Sequence, residues 1–223
     1  MQAVVKAILL DDEARNESFL SDLQNGKLRE PFFRYAHLFR AFNFSNPQNK
    51  FWDLGWAIER ELRQYMFQAP SVFNFFSPDY RPPGEMGAAG LTGPEFQLMN
   101  SYTAISVMNF FYSEFEWGGN LDVPGMHYEY EVNGVPLPPI DQPLADFTTE
   151  IAYVEANNID GLIDHLDLLL TYGMLSADMR AIINTALTDM KNSDRMEEAD
   201  KPFEIVKLAV YLFMVCPNYA IQL

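Results

Sequence analysis

The sequence predicts an all-α protein: an irregular multi-helix bundle of about six or seven helices, with a long Pro/Gly/aromatic loop and at most one small β-hairpin. Three observations predict it. Apolar residues recur at helical spacing along most of the chain. Capping residues stand ahead of several of those stretches. Alternation of the strand kind is confined to 127–132, beside the turn dipeptide Asn133-Gly134.

The elements follow in order. Val4, Val5, Ile8 and Leu9 form one helical stripe that begins without a capping residue. Residues 11–26 are polar and read as a loop with a short turn. A helix is expected over 28–42, with Phe32, Ala36, Phe39 and Phe42 on one face and Arg34 and Arg40 off it. Pro47 marks 43–50 as a break. A second helix is expected over 51–66, burying Leu54, Ala57, Ile58, Leu62 and Tyr65.

Residues 70–94 hold Pro70, Pro78, Pro82, Pro83 and Pro94 with Gly84, Gly87, Gly90 and Gly93, interleaved with rings. Proline fixes the backbone and glycine opens unusual dihedrals, so an irregular, structured loop is expected. Pro94 and Glu95 read as the start of a long helix to about residue 115. Its expected face is Met99, Tyr102, Ser106, Phe110 and Ser113, widened by Leu98, Ile105 and Met108.

The rest reads as a helical bundle, a possible subdomain over 147–223. A short helix is expected over 147–154. Asn158 caps 159–172, with Leu162, Ile163, Leu166 and Leu169 inward and Gly173 at the stop. Ser176 caps 177–190, with Met179, Ile182, Ile183, Ala186 and Leu187 inward. Asp200 caps a last helix to Cys216, which Pro217 ends.

Acidic residues number 31 and basic ones 15, a formal net charge of −16. That field argues against nucleic acid or an anionic membrane surface as partner, since both need cationic contacts. The plain meaning of the acidity is solubility. Hydrophobic residues make up 48%, with 18 Phe and 11 Tyr, enough for a sizeable core. The one cysteine, Cys216, lies in an apolar run and reads as a small core residue, so no intrachain disulfide forms. No apolar run approaches the roughly 20 residues of a membrane span, so no membrane insertion is expected.

The usual catalytic patterns are missing. There is no Walker A sequence, and the glycines from Gly84 to Gly90 follow Pro-Pro rather than a strand. His37, His127 and His165 stand in no metal-ligand spacing. No Gly-x-Ser-x-Gly elbow occurs. Asp194 occupies the position where a calcium loop over 189–200 would need glycine. Neither metal nor cofactor is expected.

The candidate site is the loop over 70–94 with the residues just after it. Phe73, Asn74, Ser77, Asp79, Tyr80, Arg81, Glu85 and Glu95 collect there. As a ligand groove, its rings would stack on a sugar or another flat ligand and its polar groups would orient it. The plainer reading is a plug, in which Phe73, Phe75 and Phe76 anchor a loop over the core.

The run from Pro70 through Phe73-Asn74-Phe75-Phe76-Ser77-Pro78-Asp79-Tyr80 to Pro82-Pro83-Gly84 resembles a signature of the bacterial family called domain of unknown function 1800. Ala88-Ala89-Gly90-Leu91 and Pro94-Glu95-Phe96-Gln97 continue it. Gly26-Lys27-Leu28-Arg29-Glu30-Pro31, Gly173-Met174-Leu175-Ser176 and Pro217-Asn218-Tyr219-Ala220-Ile221-Gln222 are similar to further segments of that family. The likeness covers nearly the whole chain apart from 119–146. It implies that residues 1–223 are one domain, the C-terminal portion of a larger protein. It also implies export to a periplasmic or extracellular setting, and a neighbouring uncharacterised protein as companion. No catalytic residue is carried over by it.

Two functions are therefore expected. The first is a non-enzymatic binding or scaffold module, acting with the N-terminal half, a companion protein or a polysaccharide. The alternative is part of a polysaccharide-modifying hydrolase in which Asp79, Glu85 or Glu95 act as acid and base, completed by the other half. Self-association of the chain is a further expectation.

Overall fold

The computed structural model describes residues 1–16, 18, 26–44, 58–65, 67–116, 131–132, 135–136 and 145–222. Among these, ten α-helical segments occur, of which α2, α4 and α10 below are single turns of four residues. The mostly helical architecture agrees with the sequence expectation.

Helix α1 (Gln2–Leu9) forms on the expected stripe and has no side-chain cap. None of its residues is buried, and Ile8 is 64% exposed. A single turn, α2 (Asp12–Arg15), follows. Strand β1 (Lys27–Leu28) takes residues expected to begin a helix. Helix α3 (Pro31–Ala41) starts only at its proline, whose missing N–H costs nothing in the first turn. Its buried face is Pro31, Arg34, Tyr35 and Leu38, continued by Phe42. The face expected from Phe32, Ala36 and Phe39 is thus rotated, and Arg34 lies inside rather than off it.

Residues 45–57 and Met66 lie outside the described residues, and with them most of the helix expected over 51–66. Its described part is a π-helical turn, Ile58–Leu62, with Leu62 fully buried. The loop over 70–94 is irregular, as expected, around one helical turn, α4 (Glu85–Ala88). At Gly87 a Cβ would stand 2.3 Å from the Pro82 carbonyl oxygen, so only glycine lets the chain fold back there.

The long helix expected from Pro94 is interrupted. Pro94–Leu98 is a 3-10 turn, and Met99 is extended. Helix α5 (Thr103–Glu116) starts afresh behind a reciprocal cap. Asn100 Oδ1 accepts from the Thr103 N–H (3.1 Å), and Thr103 Oγ1 accepts from the Asn100 N–H (2.9 Å). The new start turns the helix: Thr103, Ser106, Val107, Phe110 and Phe111 are buried, whereas Tyr102, Ile105 and Met108 are exposed.

The small hairpin is present: β2 (Glu131–Val132) pairs antiparallel with β3 (Val135–Pro136). Its turn, Asn133-Gly134, and His127 lie outside the described residues.

The C-terminal bundle is α6 (Thr148–Glu155), α7 (Ile159–Leu166), α8 (Ala177–Lys191) and α9 (Lys201–Val215). Asn158 and Ser176 cap as expected, accepting from the Gly161 and Met179 N–H groups. Asp200 stands at the N-cap of α9 but makes no side-chain cap bond. A π-helical turn, Asp167–Thr171, prolongs α7. The wider turn shifts the register, so Leu170 is fully buried where Leu169 was expected. Ile182 is 56% exposed, and Ile183 and Leu187 carry the inner face of α8. Helix α9 is the centre of the bundle, packing against α5, α6 and α8. Cys216 is buried, as expected, and burial pushes its thiol pKa up.

Pro217 opens a last turn, α10 (Pro217–Ala220), before β4 (Ile221–Gln222). Strand β4 pairs antiparallel with β1, Leu28 opposite Ile221. This pairing joins residues far apart in sequence and was not expected.

The two isoleucines of α8 separate the observed face from the expected one. Ile183→Ala should cost about 2–5 kcal/mol in urea unfolding. Ile182→Ala should stay within about 0.5 kcal/mol of wild type. The opposite ranking would show the helix turned the other way.

Candidate functional site

The β1–β4 pairing places Arg29. Its N–H donates to the Ala220 carbonyl (2.7 Å), which fixes the residue between β1 and α3. Its side chain is buried, at 8% exposure. The guanidinium lies over the ring of Tyr219, 4.6 Å from its centroid, and 5.7 Å from that of Tyr172. Such cation–ring contacts are worth about 0.5–2 kcal/mol, most where water is excluded.

His37, from α3, stands within 12° of parallel to both tyrosine rings, with centroids 6.1 Å from Tyr172 and 5.7 Å from Tyr219. Arg29 Nη1 is 3.3 Å from His37 Nδ1. Tyr219 Oη stands 3.2 Å from the same nitrogen, and toward Arg29, whose guanidinium only donates, Nδ1 is the acceptor. Burial first, then the charges of Arg29 and Arg40, hold the His37 pKa below its ordinary 6.5.

Tyr172 is placed by the end of α7. It has φ 58, a left-handed turn followed by Gly173 at φ 78. Asp167 holds that turn: its carboxylate accepts from Thr171 Oγ1 (2.5 Å) and from the Leu175 N–H (3.0 Å). Asn218 Nδ2 donates to the Met174 carbonyl (2.9 Å) and ties the turn to α10. The Tyr172 ring is left 61% exposed beside Arg29.

A second arginine, Arg34, is nearby and differently used. It donates to the Met214 carbonyl, one of the last-turn acceptors that α9 cannot satisfy internally. A cation at a helix C-terminus is also favourable. Burial lowers its pKa to about 10, which leaves it charged at neutral pH. Arg29 instead contacts His37 and the two tyrosine rings, and among the described residues it makes no ion pair with a carboxylate.

Two grooves meet at Arg29, Tyr172 and Gln222. The first, about 260 Å³, is lined also by Lys27, Glu30, Phe33, His37, Arg40 and Glu95. Glu30 is already engaged, its Oε2 accepting from Gln64 (2.5 Å) and Asn74 (2.9 Å). The second, about 410 Å³, runs between Tyr172, Met174, Asn218 and Ile221. A third, more apolar groove lies beyond Glu30, between Phe33, Phe67 and Phe75.

The residues expected from the sequence are mostly dispersed. Glu95 lines the first groove, and Asn74 borders the third. The Ser77 N–H donates to Gln97 Oε1 (2.7 Å), which fastens the loop to the 3-10 turn. Tyr80 is half-buried, and Asp79, Arg81 and Glu85 are exposed. Of the three rings expected to form a plug, Phe73 is 57% exposed and Phe75 and Phe76 are half-buried, and none of them packs against the main core cluster. Arg29, His37, Tyr172 and Tyr219 were missed as a group. The signal available was that 26–31, 173–176 and 217–222, three segments of the family resemblance, converge at this cluster.

One further buried polar pair exists. Glu150 accepts from His165 Nε2 at 2.7 Å between α6 and α7, outside all three grooves. Among the described residues, no group of three or more His, Cys, Asp or Glu could hold a metal ion. No described helix is long and apolar enough to cross a membrane.

A family model described as "Protein of unknown function (DUF1800)" matches residues 1–221. The chain belongs to that family, as the resemblance implied. No curated protein and no solved structure matches it.

The depressed His37 pKa has a consequence for stability. The unfolded chain binds this proton more readily than the folded one, so stability falls as pH drops from 6.5 through the folded value. His37→Gln should therefore lose less stability between about pH 7 and about pH 5 than wild type, measured by denaturant unfolding. An identical slope in both proteins would refute that assignment.

Proposed function

We propose that this chain is a binding module without chemistry of its own, and that its ligand seat is the double groove around Arg29. One observation carries the reading: Arg29, a residue only 8% exposed and with no carboxylate ion pair among the described residues, borders both grooves. A buried charge left unpaired is costly, and an anionic ligand offsets that cost. Lys27 and Arg40 line the first groove with Arg29, so three cations there face two carboxylates, Glu30 and Glu95, in a chain of net charge −16.

The hydrolase alternative needs two carboxylates converging on one cleft. Glu95 shares the first groove with Glu30, whose carboxylate is already engaged by Gln64 and Asn74, whereas Asp79 and Glu85 are exposed on the loop and border none of the three grooves. The binding reading is therefore the better supported. A setting outside the cytoplasm and a protein companion remain part of the same proposal, resting on the family resemblance.

The test is a melting-temperature series in acetate, phosphate, sulfate and chloride at equal ionic strength. At least one oxyanion should raise the midpoint by a few degrees over chloride, since a ligand that binds only the folded state stabilises it by mass action. The increment should vanish in Arg29→Gln, compared with and without anion in that same variant. No increment with any oxyanion in wild type would sink the proposal.

A further inference from the structure

We infer that the seat takes a carboxylated sugar, a uronic-acid-type residue within a saccharide chain. This rests on the binding reading above and adds the chemical class of the ligand.

Four observations converge. First, the one cation that lines both grooves is an arginine, whose planar fork matches a carboxylate through paired N–H donors. Second, flat apolar surface stands beside it: Tyr172 is 61% exposed with its ring 5.7 Å from the guanidinium, and Phe33, which lines the first groove, is 53% exposed. A pyranose offers a C–H face to such a ring while its edge carries hydroxyls. Third, the remaining polar groups suit hydroxyls. Glu95 and Gln222 border the first groove, and Asn218 and Gln222 the second. These are acceptors and amides, with hydrogen-bonding capacity for O–H groups. Fourth, two grooves share Arg29, Tyr172 and Gln222 and are otherwise lined by different residues, which gives a chain neighbouring subsites next to the charged residue.

Charge narrows the class further. A phosphorylated or sulfated polymer brings dense negative charge against a protein of net charge −16. Glu95 in the first groove adds local repulsion to any second negative group. One carboxylate per seat, surrounded by neutral hydroxyls, meets the arginine without that cost.

Tyr172 is the discriminating residue. Its ring is exposed and its backbone is left-handed, so Tyr172→Asn removes the ring and keeps a residue that tolerates that conformation.

The experiment is titration calorimetry of the chain with galacturonate, a trimer of one galacturonate between two neutral hexoses, galactose, acetate, benzoate and glucose 6-phosphate. The uronate should bind at least about tenfold tighter than acetate, a difference of about 1.4 kcal/mol. The trimer should bind tighter still, and galactose should not bind measurably. Tyr172→Asn should lose the uronate's advantage over acetate while keeping acetate affinity. Uronate and acetate binding equally, or benzoate or the phosphate binding tighter, would overturn the sugar class and leave the anion seat standing. Undiminished uronate affinity in Tyr172→Asn would overturn the stacking role and with it the inference. No binding by any anion would overturn both proposals.

Discussion

The fold depends on where the Tyr219 side chain goes. It is fully buried, and its hydroxyl donates to the Arg34 carbonyl at 2.7 Å, in the middle of α3. Arg29 and Arg34 both lie over its ring. Burial pushes the phenol pKa well up, so the hydroxyl stays neutral and remains a donor. This one residue, near the end of the chain, thus anchors α10 and β4 to α3. The β1–β4 pairing is only two residues long on each strand, too short to hold by itself. It persists because Tyr219 locks the segment that supplies one of its strands.

Two arginines therefore sit within one aromatic cluster, and their fates differ for a geometric reason. Arg34 is on the inner face of α3, where it reaches the last turn of α9 and neutralises an orphan carbonyl. Its Nε has no hydrogen-bond partner, a residual cost of placing a cation inside the core. Arg29 precedes the helix, on the strand side, and borders both grooves instead. The first arginine is absorbed by the fold, and the second is held by the fold with its charge unspent. Asp167 fixes the left-handed turn at Tyr172 without lining either groove, and Asn218 both ties that turn to α10 and borders the second groove.

Helix existence was legible in the sequence wherever caps and apolar spacing agreed, as at Asn158 and Ser176. Helix phase was less so, because each error traces to a local event that spacing does not carry. The π-turn over Asp167–Thr171 moved burial from Leu169 to Leu170. The Asn100–Thr103 cap restarted α5 and exposed Ile105. Arg34 looked like a surface charge because sequence periodicity cannot see an acceptor on a helix that begins more than 160 residues later. The site was hardest to read for the same reason. Its parts come from three separate segments, whereas the loop over 70–94 gathers its polar residues locally and so drew attention to itself.

That loop is nonetheless connected to the seat, through Glu30. Asn74 from the loop and Gln64 from the turn after the π-helix both donate to one Glu30 oxygen. Gln64 Oε1 in turn accepts from the Phe32 N–H (2.9 Å), satisfying a donor in the first turn of α3. With its carboxylate engaged by two amides, Glu30 presents less bare negative charge to the groove it shares with Arg29. Loss of either amide would free an acceptor one residue from the arginine, and an internal ion pair would then compete with any incoming anion. The aromatic loop thus bears on the seat by keeping a carboxylate away from its cation, which explains how residues of the family signature can matter to a site they do not line.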